Sequence, residues 1–337
     1  MSVTALKPAE LPNLGDFADF TKLCKALADD IRLEILRLLK AESFSVLEIC
    51  RILDIRQSAL SHHLKILANA SLVSTRREGN SIFYRRTLIL DTDPFEEFKN
   101  SAFANIDRLP LPAEMLTRLG ITQQERSQLS LDFFTKHADK FRENQGLITE
   151  YRQYASSLES LIDDISFESE PVVMEVGPGE GELLLTLTNK FNSVIALDNS
   201  EEMLQKARGT ITDNCIDHVD FIHGDTAVAL EKNLHCDLMI FNMVLHHIPS
   251  PAEVFQDASK ILNPGGVLLL VDLCSHDQDW VRNSCGDLWL GFDADDLGNW
   301  ATDANLIEGQ GLYLSLRNGF QIQVRLFINR KRPDSKI

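Results

Sequence analysis

The sequence predicts an α/β chain with an N-terminal α+β domain: a winged helix-turn-helix, then a helical connector, then a doubly wound parallel sheet. Three observations carry this. Near the N-terminus two short helical patterns are joined by a tight turn and followed by two β-rich runs. In the second half an apolar run, Pro171 to Val176, breaks into glycines at Gly177, Gly179 and Gly181 and re-enters a helical pattern. Four further apolar runs then alternate with helical segments, the order that builds a parallel sheet. A chain of 337 residues that is 44% hydrophobic exceeds one comfortable core. The expected boundaries are 1–93 for the first domain, 94–168 for the connector and 169–337 for the sheet.

The elements follow in order. Leu23, Leu27, Ile31, Ile35, Leu36 and Leu39 recur at helical intervals and predict one amphipathic stretch over 23–39. Ser45 followed by Glu48 is a capping-box pattern that starts a helix running through Leu53, and Asp54 to Arg56 reads as a tight turn. The next helix, Gln57 to Ala68, buries Leu60, Leu64 and Leu67 and turns Gln57, Ser58, Ser61, His62 and Lys65 outward. Val73 to Arg86 then gives two β-rich runs joined by a Gly79–Asn80 turn. The whole chain carries −17, which argues against nonspecific nucleic-acid binding. Between Arg51 and Arg86, however, seven bases stand against two acids, so this segment is net +5 while the remainder carries −22. A basic island on a helix-turn-helix and its wing is where phosphates are met. The expected DNA-facing residues are therefore Arg56, Gln57, Ser58, Ser61, His62, Lys65, Arg76 and Arg77, and the expected partner is double-stranded operator DNA.

Ser61 to Leu67 on the second helix, the turn from Arg76 to Asn80 and the aromatic pair Phe83 and Tyr84 resemble the arsenic-repressor (ArsR) family of dimeric regulators, over roughly residues 20 to 90. The resemblance implies a homodimer. The family's metal-sensing members pair cysteines on the helix before the recognition helix, and here Leu47 stands where a first thiolate is expected, with Cys50 alone on an apolar face. No metal is expected from this pattern. His62 and His63 are adjacent and point to different helix faces, so they do not chelate one ion as an i, i+4 pair would. A second departure is Arg56 at the helix start, where the family often has a serine cap.

Pro94, Pro110 and Pro112 punctuate the next segment, and Thr122 to Glu168 is helical by composition, with Gly146 as the point of interruption. Phe133, Phe134, His137 and Phe141 form a stripe on it at helical spacing, which either packs against a neighbour or covers a bound ligand.

In the second half, the glycines at i, i+2 and i+4 allow close backbone approach by a ligand, and the helix after them offers unpaired N–H groups. Val194 to Leu197 ends in Asp198, followed by Asn199; an acidic group at the end of the second strand can take both hydroxyls of a ribose, the Rossmann arrangement. A third run, Val219 to His223, ends at Gly224 and Asp225 with Thr226, where an adenine would lie. The fourth, Cys236 to Phe241, carries Asn242 and then His246 at its carboxyl end. Asn263 to Gly266 turns into the fifth, Val267 to Val271.

These motifs together make residues 171–275 resemble a class I S-adenosylmethionine-dependent methyltransferase domain. The resemblance implies that Gly177, Gly179 and Gly181 form the cofactor turn, Glu175 sits under the methionyl ammonium, Asp198 and Asn199 hold the ribose, Asp225 and Thr226 face the adenine, and Asn242 stands near the sulfur. The cofactor implied is S-adenosylmethionine or S-adenosylhomocysteine. Trp280, Trp289, Phe292 and Trp300 are expected by position on the acceptor side of the pocket, and Leu314 to Arg325 alternates as a strand pair. Two domains and this tail are similar to ArsR-type proteins that respond to S-adenosylhomocysteine in regulating the methionine cycle.

Two functions follow. In one, the Rossmann-like domain binds S-adenosylhomocysteine or S-adenosylmethionine and changes operator affinity; in the other, the chain is an active methyltransferase with an appended DNA-binding head. Asn242 and His246 are the catalytic candidates for the second, with His246 as a base; the alternative is that both contact only the cofactor. Six cysteines without regular spacing, no signal peptide and no long apolar span give a reduced, cytoplasmic chain without a membrane segment as the expectation.

Overall fold

The computed structural model describes residues 15–40, 42–78, 81–137 and 141–330. The chain divides into two units, Met1–Thr122 and Gln123–Ile337.

In the first unit α1 (Phe17–Leu27) and α2 (Asp30–Leu38) replace the single stretch expected over 23–39. The break has a local cause. Asp29 caps α2 by accepting from Arg32 N at 3.1 Å, and the buried Arg32 side chain turns back to donate to the carbonyls of Ala26 at 2.7 Å and Lys25 at 2.8 Å, closing the last turn of α1. A two-residue strand β1 (Phe44–Ser45) leads into α3 (Val46–Leu53). The capping box is present in full: Glu48 N donates to Ser45 Oγ and Ser45 N to Glu48 Oε2. α3 ends at Asp54, which takes the left-handed conformation at φ 56°, and α4 (Gln57–Asn69) follows without a side-chain cap from Arg56. β2 (Val73–Glu78) and β3 (Ser81–Arg86) pair antiparallel, with Glu78 opposite Ser81, and β1 adds to β3 in the order β1-β3-β2. The predicted Gly79–Asn80 turn lies outside the described residues. α5 (Glu96–Ile106) and the start of α6 (Ala113–His137) complete the unit. One core joins Leu23, Ile35, Ile49, Leu60, Leu64 and Leu67; the three leucines of α4 are buried at the i, i+4, i+7 spacing that predicted them.

The connector is not one helix. α6 starts directly after Pro112 and runs to His137, α7 (Phe141–Gly146) ends at Gly146, a 3-10 turn covers Tyr151–Gln153 and α8 (Ala155–Asp163) follows. Ala138 to Lys140 and the side chain of Phe141, part of the expected stripe, lie outside the description.

The second unit is built on a seven-stranded sheet in the order β6-β5-β4-β7-β8-β10-β9. β4 (Val172–Val176), β5 (Ser193–Asp198), β6 (Val219–His223), β7 (Cys236–Asn242) and β8 (Leu262–Leu273) are parallel; the antiparallel hairpin β9 (Leu306–Ser315) and β10 (Gln321–Asn329) extends the edge beyond β8. The helices α9 (Glu182–Lys190), α10 (Glu201–Asp213), α11 (Thr226–Glu231), α12 (Pro251–Ile261), α13 (Trp280–Ser284) and α14 (Ala294–Asp303) connect them. Alternate strand residues face opposite sides: Val173, Ala196, Leu238, Ile240 and Leu269 join the core formed with Leu158, Leu183, Leu187 and Ile211. Their neighbours Met174, Leu197, Met239 and Leu268 are buried as well, so the sheet is covered on both faces. After β4 the chain builds outward through β5 and β6, then returns to place β7 on the other side. The crevice between β4 and β7 is thus the topological switch point, at the carboxyl ends of the strands.

Candidate functional site

A cavity of about 600 Å³ opens at this switch point. Backbone bonds stitch its rim together: Gly177 N donates to Leu197 O, Gly224 N to Asp198 O and Met243 N to Val271 O, each at 2.8 Å. Gly177 (φ 68°) and Gly179 (φ 58°) make the turn between β4 and α9 and line the cavity. A Cβ on Gly177 would come within 2.4 Å of the Val244 side chain, so packing and backbone conformation both demand glycine there. Gly181 is the N-cap of α9 and is not on the cavity wall; a Cβ there would press on the Ala207 backbone of α10 at 3.3 Å.

Asp198, Asn199, Asp225, Thr226 and Asn242 all line the cavity. Asp198 accepts from Ser200 N at 2.8 Å, and burial raises its carboxyl to about 6 despite that bond. Asp225 caps α11 by accepting from Val228 N at 3.1 Å, and Thr226 Oγ1 donates to Asp257 at 2.8 Å. The amide oxygen of Asn242 accepts from Tyr154 OH at 3.0 Å. Glu175 is fully buried behind the turn, off the cavity wall; its Oε2 has no hydrogen-bond partner, and burial, reinforced by Asp198, raises its carboxyl well above the usual range.

The two histidines after β7 part company. His246 is completely buried and off the cavity wall, with Nδ1 2.8 Å from Asp272 Oδ1 and Nε2 3.9 Å from Asp287 Oδ1. Burial works against its charge, but the two carboxylates outweigh it and raise the ring to about 9. His247 lines the cavity instead; the Phe134 ring meets it edge-on at 4.8 Å, and burial, then the neighbouring His246, hold it well below the ordinary histidine range. His247 thus takes the wall position that sequence reasoning considered for His246; adjacent positions after a strand are told apart only by the turn that follows, here a 3-10 turn over Leu245–His247.

The aromatic tail is a correction. Trp289 donates from Nε1 to Ile248 O at 2.8 Å, and Trp300 packs on Phe255 and Phe292 with ring centroids 5.9 and 5.7 Å away. Trp280, Trp289, Phe292 and Trp300 are all absent from the cavity wall. Trp289 sits behind the wall, its backbone N on His246 O and its ring on Ile248, while Trp300 packs between Phe255 and Phe292 and Trp280 stays partly exposed. The wall on the connector side comes from Phe134, a member of the aromatic stripe the sequence marked, and from Gln123, Ser130, Gln145 and Tyr154, which no sequence motif marked.

In the first unit Gln57, Ser58, Ser61, His62 and Lys65 are exposed on α4, and Arg56 is exposed at its start. Arg77 is exposed and Arg76 half-buried on β2. His63 is mostly buried, its Nδ1 3.5 Å from Asp29. Not all of the basic island faces outward: Arg86 donates to Asp107 at 2.6 Å and to Leu36 O at 2.6 Å and lies over the Phe103 ring, and Arg85 donates to Ser74.

Residues 29–75 match the model of bacterial regulatory proteins of the arsR family, and residues 148–308 match a methyltransferase domain. The Staphylococcus aureus homolog of the cadmium resistance transcriptional regulatory protein is 31% identical over 86 residues, 25% of this chain and 68% of that protein. The chain belongs to the arsR family of bacterial regulatory proteins. Its arsR-type DNA-binding domain is joined to a methyltransferase domain. That second domain is similar to the tRNA 5-carboxymethoxyuridine methyltransferase of Escherichia coli, 30% identical over 150 residues; the match takes in 42% of this chain and 57% of that enzyme, so the chain spans little more than half of this relative. The magnesium protoporphyrin IX methyltransferase of Synechocystis, solved with bound SAM, shares the fold at a TM-score of 0.50 and 16% identity, covering 60% of this chain and 97% of that one. No helix among the described residues is long and apolar enough to cross a membrane.

Proposed function

We propose that this arsR-family chain is a transcriptional regulator whose methyltransferase domain binds S-adenosylhomocysteine or S-adenosylmethionine and thereby changes its affinity for operator DNA. The observation that carries this reading is the cavity at the β4/β7 switch point, where a glycine turn, Asp198 and the Asp225–Thr226 pair share one wall on a chain that also carries an arsR-type helix-turn-helix. In this reading Gly177 and Gly179 pass the methionyl part, with Gly181 setting the angle of α9. The unpartnered Oε2 of Glu175 suits its ammonium. Asp198 and Asn199 take the ribose hydroxyls, and Asp225 and Thr226 meet the adenine. Arg56, Gln57, Ser58, Ser61, His62 and Lys65 enter the major groove while Arg76 and Arg77 hold phosphate. The chain acts as a homodimer; Phe17, 94% exposed on α1, with Phe20 and Phe98 also exposed, offers the apolar surface for pairing.

The sulfonium and homocysteine forms differ by a methyl group and a fixed charge at sulfur. A regulator must tell them apart, through Asn242, Phe134 and His247 on the wall. Linkage then requires reciprocity: if one form lowers operator affinity by a factor, operator DNA lowers affinity for that form by the same factor, typically about 5- to 150-fold. Titrating operator with each ligand, and each ligand with operator present or absent, checks this. A factor of one for both forms refutes the sensor reading.

A second reading, an active methyltransferase with a regulatory head, places an acceptor beside His247 on the cavity wall; burial holds that ring well below the ordinary range and makes it a weak base, so transfer rests on alignment of acceptor and sulfonium. Methyl transfer to an acceptor in the same experiment, with no effect on DNA, selects it.

A further inference from the structure

His246 has an environment that neither reading uses. Its backbone N and its Nδ1 both face the buried carboxylate of Asp272, at 3.3 and 2.8 Å. A carboxylate accepts, so Nδ1 keeps its hydrogen, and an ion bound at Nε2 takes the place of the second ring proton. Nε2 is buried without a hydrogen-bond partner, and so are both carboxylate oxygens of Asp287. The nearest approach between them, 3.9 Å from Nε2 to Oδ1, is too long for a hydrogen bond. His247 adjoins them, its ring centroid 4.1 Å from that of His246, and one ligand atom from each of His246, His247 and Asp287 lies within 4.8 Å of the others.

We propose that His246, His247 and Asp287 form a binding site for a divalent transition-metal ion of the zinc type. Metal–nitrogen and metal–oxygen bonds of about 2.0–2.2 Å meeting at tetrahedral angles place two ligands of one ion about 3.4 Å apart, so the 3.9 Å gap between His246 and Asp287 narrows by about half an ångström on binding. The widest separation in the group, up to 4.8 Å, closes by about 1.4 Å, which rotation of the side chains supplies. Two imidazoles and one carboxylate suit zinc, cobalt or nickel rather than magnesium or calcium, which take oxygen ligands. Asp272 completes the pattern: a carboxylate behind a ligating imidazole fixes its tautomer and strengthens its donation. Three protein ligands leave a coordination position open, and His247 reaches the cavity wall, so an exchangeable ligand of the ion would enter from the cavity.

The full-length chain, dialysed against a chelator, is titrated with Zn(II) and separately with Co(II), whose visible absorption reports a low-coordinate nitrogen and oxygen site. One ion per chain is expected. Asp287→Asn and His247→Gln should each weaken binding more than tenfold, and Asp272→Asn, which touches no ion, about 10- to 100-fold. Thermal unfolding of each variant separates loss of binding from loss of fold; if Asp287→Asn does not fold, His247→Gln carries the comparison. No saturable binding by the wild-type chain overturns the proposal and leaves His246 bridged to Asp287 by water or an ion pair. Binding that survives all three substitutions overturns it too, by placing the ion elsewhere. Neither result depends on nucleoside binding, which calorimetry reads independently.

Discussion

On α4 the polar side chains of Gln57, Ser58, Ser61, His62 and Lys65 all face solvent, whereas Glu175, Asp272 and Asp287 of the methyltransferase domain are buried. The first arrangement costs little, because exposed groups keep their water, and its chemistry is displayed by a single helix. The second carries a desolvation penalty that is offset only where topology brings a partner to each buried group. Asp272 has His246; Asp198 has the backbone of Ser200; Glu175 has one oxygen with no protein partner. A surface reader of nucleic acid is thus assembled locally, and a ligand cavity is assembled from strand ends far apart in sequence.

The largest effect is expected where backbone and packing coincide. Gly177→Val forces a branched side chain into the left-handed region and into Val244, which together cost about 3 kcal/mol or more. Thermal unfolding should show the loss and calorimetry should show no nucleoside binding. A stable variant with normal affinity would remove the turn from the site.

In the DNA-binding domain the comparison is tested by two arginines of one basic island. Arg86→Ala should destabilise that domain by about 1.5–3 kcal/mol, since it leaves Asp107 and the Leu36 carbonyl without their donor. Arg77→Ala should destabilise less than Arg86→Ala and flatten the salt dependence of DNA binding by about 0.9 in the log–log slope if it holds one phosphate. Equal behaviour of the two in both assays would erase the division between packed and displayed charge.

A smaller effect concerns pH. The free Asp198 carboxyl, raised to about 6 by burial, is ionised above that value, and in the proposed function it is the ionised form that accepts from ribose hydroxyls. Nucleoside affinity should therefore be flat above pH about 7 and fall as pH drops through about 6, by at most tenfold per unit. Asp198→Asn should lower affinity by about 1.5–3 kcal/mol at neutral pH and abolish this component of the pH dependence.

Much of both folds was legible. The period of Leu60, Leu64 and Leu67, the Ser45–Glu48 box and the strand–glycine–helix pattern at Gly177 each state a local rule that the structure obeys. The break between α1 and α2 was not, because it depends on Arg32 folding back onto carbonyls of the preceding helix, and the apolar positions on either side stay in phase. Arg86 counted as a cation of the surface because sequence shows charge and not direction. Most of the far wall of the cavity was invisible for a related reason: Gln123, Gln145 and Tyr154 carry no motif and reach the site by packing alone, whereas Phe134 was already part of the aromatic stripe. The tail aromatics misled, since a ring near a pocket packs behind its wall, as Trp289 does on Ile248, as readily as it lines it.

The strand order has a consequence for how the chain is made. β4 is synthesised early, and β5 pairs with one of its edges soon afterwards. Its other edge waits for β7, by which time α9, β5, α10, β6 and α11 have all left the ribosome. A nascent sheet with an open apolar inner edge invites pairing with another copy. Truncations that stop before Cys236 should therefore collect in the insoluble fraction, and those that extend past Asn242 should be the first in which β4 is paired on both sides.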